Sequence, residues 1–152
     1  MGAAAFAYAD PALAQAAVPT ERDVLNFALN LEYLEANFYY YAVFGTPIPA
    51  GSITGVFTSV PADTAADGNG NRYNAGARAV NFKDPLVAQY AREIAADELA
   101  HVNFLRKQLS DAAVGQPAID IGITPNGAFS SAARSANLIG ASTAAQPTFF
   151  DP

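Results

Sequence analysis

Two stretches of the chain repeat apolar residues with a helical period, and each carries its own start signal. The first is "ERDVLNFALNLEYLEANFYYYAVF". Thr20 stands before it as an N-cap with Asp23 at the third helical position and Pro19 just upstream, while Gly45 and Pro47 close it. This spacing predicts a helix over about 21–44. Its apolar residues form two adjoining faces, one through Leu25, Ala28, Glu32, Glu35 and Tyr39, the other through Phe27, Leu31, Leu34, Phe38 and Tyr41. A helix of that kind is expected to be buried over more than half its circumference, as in a bundle.

The second stretch, "PLVAQYAREIAADELAHVNFLRKQL", starts at Asp84 as N-cap with Pro85 in the first helical position, and predicts a helix over about 85–110. Arg106 and Lys107 complement the dipole at its end. One face carries Val87, Ala91, Ile94, Glu98, His101 and Leu105, so an acid and the chain's single histidine interrupt an apolar stripe. Between the helices lie about 40 residues rich in Gly, Pro, Asn and Asp, long enough to be either functional or locally structured. Within them "ITGVFTSV" reads as a short strand. "DGNGN" resembles the start of a calcium loop, but Arg72 stands where that loop needs Gly and Arg78 where it needs a bidentate Glu, so a plain turn is the reading. After the second helix "VGQPAIDIGIT" looks extended, and "PNGAFSSAARSANLIG" fits a short helix that Gly140 would cap. "ASTAAQPTFFDP" reads as a linker toward a further element.

Composition narrows the class. At 152 residues the expectation is one domain. Hydrophobic residues make up 51% and charged ones 14%, which favours an exported or assembled protein, periplasmic or secreted. Residues 1–18 are apolar and small, with A-x-A-like patterns around Ala12-Leu13-Ala14, and read as a signal-peptide remnant or an unstructured Ala-rich leader ahead of a domain over 19–152. A net charge of -6 gives no footprint for nucleic acid, and no stretch has the length of a membrane span. With no cysteine, any metal must be held by carboxylate, imidazole and water.

Glu98 and His101 are three residues apart and project to one side of a helix, one turn apart, as do Glu32 and Glu35 on the first helix. Acids inside an apolar stripe need a cation or a strong hydrogen-bond network, and the first helix has no Lys or Arg after Arg22. A metal ion is the economical partner. Helical bundles that hold two iron or manganese ions use a Glu from each of two helices and a Glu-x-x-His from each of the other two. This sequence supplies one element of each kind, hence half of such a site. Glu35 is favoured over Glu32 on its spacing to the helix end, with Glu32 left open. Glu93 and Asp97 fall toward another, solvated face, and Tyr39, Tyr40, Tyr41 and Tyr90 are most simply packing residues.

"DVLNFALNLEYLEANFYYYAVFG", "IAADELAHVNFLRKQL" and "QPAIDIG", in this order, resemble the ferritin-like domain family that includes exported bacterial proteins and plant desiccation-associated proteins. The resemblance covers about 20–150. It implies an all-α, ferritin-like helical bundle with two long antiparallel helices plus a short one, and iron or manganese ligands at Glu32 or Glu35, Glu98 and His101. In the family a stretch like "FFDP" leads into two further helices, so the bundle is expected to be completed by a missing C-terminal half, by self-association or by a second polypeptide. The expected function is metal-dependent redox chemistry or stress protection. The alternative is a non-enzymatic exported structural protein that has the bundle without a working metal site.

Overall fold

A computed structural model describes residues 18–57 and 76–140. It is helical, with no strand among the described residues: α1 spans Glu21–Phe44, α2 Pro85–Leu109 and α3 Ala128–Ser135. The start and stop signals act as their chemistry requires. Thr20 Oγ1 accepts from the Asp23 backbone N–H, and the Asp23 carboxylate accepts from the Thr20 N–H at 2.8 Å, a reciprocal capping box. Gly45 ends α1 in the left-handed region at φ 69°, where a Cβ would be strained. Asp84 caps α2 through the Leu86 N–H at 2.8 Å, with Pro85 directly behind it.

Cross-links between the helices fix their direction. Asn26 bridges to the backbone at Ala112 and Val114, and Tyr33 meets Arg106. Early residues of α1 pair with late residues around the end of α2, so the two run antiparallel. Leu29, Tyr33, Ala36 and Tyr41 pack with Val102, Leu105 and Leu109, and the extended segment 113–123 lays Ile119, Ile121 and Ile123 over the same side. That segment is tied down by Val56 N–H to Ala113 O at 2.7 Å, Gly115 N–H to Val56 O at 2.8 Å and Gln116 N–H to Ile53 O at 2.9 Å. Gly55 is required here, because a Cβ would collide with the Ala113 carbonyl oxygen. α3 closes the end, with Phe129 stacked on Phe38 at 5.4 Å.

Several expectations need correction. The deepest face of α1 is Leu29, Tyr33 and Ala36, while Phe27 and Leu31 are 65% and 46% exposed, because the loop-borne isoleucines pack on one side of the helix pair only. "ITGVFTSV" contributes a single parallel bridge, Val56 to Val114, in its described part. The α3 helix ends at Ser135 with Ala136 as cap, so Gly140 does not cap it. The end of α2 is as expected to within a residue: it stops at Leu109 and tightens into a 3-10 turn over Ser110–Ala112. The 1–17 part of the leader, "DGNGN" and "ASTAAQPTFFDP" lie outside the described residues.

Candidate metal centre

Antiparallel packing sets the middle of α1 beside the middle of α2, and there the side chains of Glu32, Glu98 and His101 meet. His101 Nδ1 lies 3.2 Å from Glu98 Oε2 and 3.3 Å from Glu32 Oε2. One donor atom from each residue falls within 4.8 Å of the others. The i,i+3 spacing on α2 produces the Glu98–His101 contact, and the helix pairing brings in Glu32.

A single ring nitrogen can align with only one of two oxygens. Nδ1 makes its hydrogen bond with Glu98, which leaves Glu32 Oε2 buried with no hydrogen-bond partner. Burial first, and then the Glu98 carboxylate beside it, push the Glu32 pKa above the ordinary carboxylate value, against the pull of His101. The hydrogen bond to Glu98 holds the His101 pKa above its usual value. Two carboxylates and one imidazole therefore crowd into one partly dry space, and a divalent cation would satisfy all three at once. The buried Glu32 Oε2, which accepts no hydrogen bond, and the all-hard-and-borderline donor set of two carboxylates and one imidazole fit iron or manganese. The imidazole is 57% exposed while the two glutamates are 24% and 14% exposed, so the cluster opens to solvent on the histidine side.

Of the four residues singled out in the sequence, the structure brings Glu32, Glu98 and His101 together. Glu35 stands one turn further along α1, exposed and outside the cluster, acting on Glu32 only through its charge. Spacing to the helix end favoured Glu35, but it is the phase of α1 against α2 that decides, and this depends on packing partners remote in sequence. Glu93 and Asp97 are exposed, as expected. Tyr41 is buried and Tyr40 packs on Phe44 at 4.8 Å. Tyr33 is the residue sequence reasoning passed over. It is fully buried, accepts from Arg106 Nη1 at 2.7 Å and donates to Val114 O at 3.1 Å, with Arg106 also clamping Thr54. A further buried pair, Asn37 Nδ2 to Gln116 Oε1 at 2.8 Å, locks α1 to the extended segment. The signal was present: Asn26, Asn37 and Tyr33 are polar groups recurring along one side of an otherwise apolar helix.

No curated protein and no solved structure is significantly similar to the chain. The ferritin-like domain family, in contrast, matches residues 20–146, most of the sequence. That match spans well over half of the chain and agrees with the antiparallel helix pair, so the chain belongs to the ferritin-like domain family.

Proposed function

We propose that this ferritin-like chain binds iron or manganese through Glu32, Glu98 and His101 and serves metal-dependent redox chemistry or stress protection outside the cytoplasm. The observation that carries the reading is the convergence of three ligand atoms from two helices within 4.8 Å, one of them a buried carboxylate oxygen with no hydrogen bond. A bound iron or manganese ion supplies one-electron exchange with O2 or peroxide. The protein's part is to hold that ion in place: Glu32 and Glu98 provide the negative charge from a partly dry wall, and His101 provides a neutral nitrogen at the solvent-facing edge. His101 must be in its neutral form to bind.

Metal analysis of the purified chain tests this. Iron or manganese present in proportion to protein, and lost in His101→Ala and Glu32→Gln, is the expected result. A chain that stays folded and metal-free after exposure to either ion overturns the reading and leaves the non-enzymatic structural role, in which Glu98 and His101 bond only each other.

A further inference from the structure

Away from the carboxylate–histidine cluster, two more buried polar atoms have no hydrogen-bond partner, and both belong to α3: Ser130 Oγ and Arg134 Nη1. The two residues are one turn apart on the same face of the helix. Ser130 stands in the first turn and is fully buried. A helical side chain leans toward the helix start, and Arg134 follows that rule far enough for its Nη2 to donate to Pro125 O, just ahead of the N-cap Gly127. The guanidinium therefore lies beside the turn that carries Ser130. Glycine has no side chain to cap a helix, and α3 starts with no side-chain acceptor, so the donors of its first turn and the positive end of its dipole go unanswered as well.

The charge at this end is also uncompensated. Arg134 is the only charged residue between Asp120 and Asp151, and no ion pair joins it to an acid among the described residues. Asp120 accepts instead from the Gly122 N–H at 3.0 Å. Ser130 does not satisfy itself as Ser135 does, whose hydroxyl donates to the carbonyl four residues back, Ser131 O, at 3.0 Å. A buried guanidinium N–H, a buried hydroxyl and an uncapped helix start all ask for an acceptor, and the guanidinium asks for a negative charge with it. Water would supply the acceptor and no charge. Because both atoms are closed off from solvent, an organic acid has no route for its remainder, and one negative charge balances one guanidinium.

We propose that the start of α3 binds a small monovalent anion of the halide class, held by Ser130 Oγ and Arg134 Nη1. The site is separate from the metal cluster and does not depend on it. The full metal-free chain, kept in EDTA, is compared in sodium chloride and sodium gluconate of equal ionic strength, by 35Cl nuclear magnetic resonance line width and by thermal unfolding. The native chain should broaden the chloride line and melt about 2–4 °C higher in chloride than in gluconate. Ser130→Ala should weaken chloride binding about tenfold, and Arg134→Met should abolish it. In gluconate Ser130→Ala should melt no lower than the native chain, because it removes a buried hydroxyl that has no partner there; in chloride it should melt lower. That crossing keeps the test sharp even if Arg134→Met does not fold. A native chain that neither broadens the line nor responds to the change of anion overturns the proposal and leaves water as the occupant. Broadening that survives in Ser130→Ala and Arg134→Met places the ion elsewhere and overturns it too, as does a Ser130→Ala chain destabilised equally in both salts.

Discussion

At the scale of single residues, two members of the cluster on α1 and α2, Glu32 and His101, hold their protons more tightly than free side chains do. His101 and Glu32 both have raised pKa values in the folded chain, the first through its hydrogen bond to Glu98 and the second through burial. A group whose folded pKa is raised contributes stability that is present below its unfolded pKa and lost as pH rises through the folded value. In the metal-free chain both groups therefore act in the same sense. Urea midpoints should fall between about pH 5 and pH 8, and His101→Ala should flatten the fall; because the ring is more than half exposed, the effect is small. Metal reverses this trend, since binding displaces the same protons: manganese affinity should rise with pH over that window, as a calorimetric titration at several pH values would show. A manganese affinity independent of pH would exclude His101 as a ligand. Glu98 and His101 were legible in the sequence because an i,i+3 pair carries its own geometry. The choice between Glu32 and Glu35 was not, because both lie on the exposed-to-intermediate side of α1 and only the phase of packing against α2 separates them.

At the scale of elements, local rules explain where the helices begin and end, and polar pins explain how they are held together. Thr20, Gly45 and Asp84 act within a few residues of themselves, so the helix ends could be read directly. The covering segment 113–123 could be read as extended but not placed, because its attachment runs through bonds that span most of the chain: Asn26 to Val114, Tyr33 to Val114 and Asn37 to Gln116. These pins yield a prediction. Tyr33→Phe removes the oxygen shared by Arg106 and Val114 and leaves a part-buried guanidinium and a carbonyl short of a partner, which should cost about 1–3 kcal/mol in denaturant unfolding. It should leave manganese affinity within about twofold, since Tyr33 faces the core side of α1 and not the cluster. Thr20→Ala, by contrast, breaks a solvent-exposed capping box and should cost about 1 kcal/mol.

At the scale of the whole molecule, the helix pair has, among the described residues, one finished side and one open side. The finished side holds the isoleucines of the loop segments and the polar pins; the open side holds the exposed Val24, Phe27, Leu31, Tyr90 and Phe104 with the candidate ligands between. Amphipathic patterning on α1 predicted burial over more than half its circumference, and part of that burial is unfulfilled within the described chain, which is why the residues expected to be deepest differ from those that are. Metal is therefore expected to act on the molecule as a unit. A ligand that binds only the folded form stabilises it by about 2.7 kcal/mol at a concentration 100 times its dissociation constant. Saturating manganese should raise the melting temperature by several degrees, and His101→Ala should abolish the rise.

The claim beneath all of this is that Glu32, Glu98 and His101 hold one ion together. Its most direct test is an electron paramagnetic resonance titration in which the metal-free native chain removes the free Mn2+ signal. We predict loss of the signal to about one ion per chain, with that capacity gone in His101→Ala and in Glu32→Gln while Glu93→Gln retains it. A native chain that leaves the free Mn2+ signal undiminished, or variants that remove it as well as the native chain does, would contradict the account.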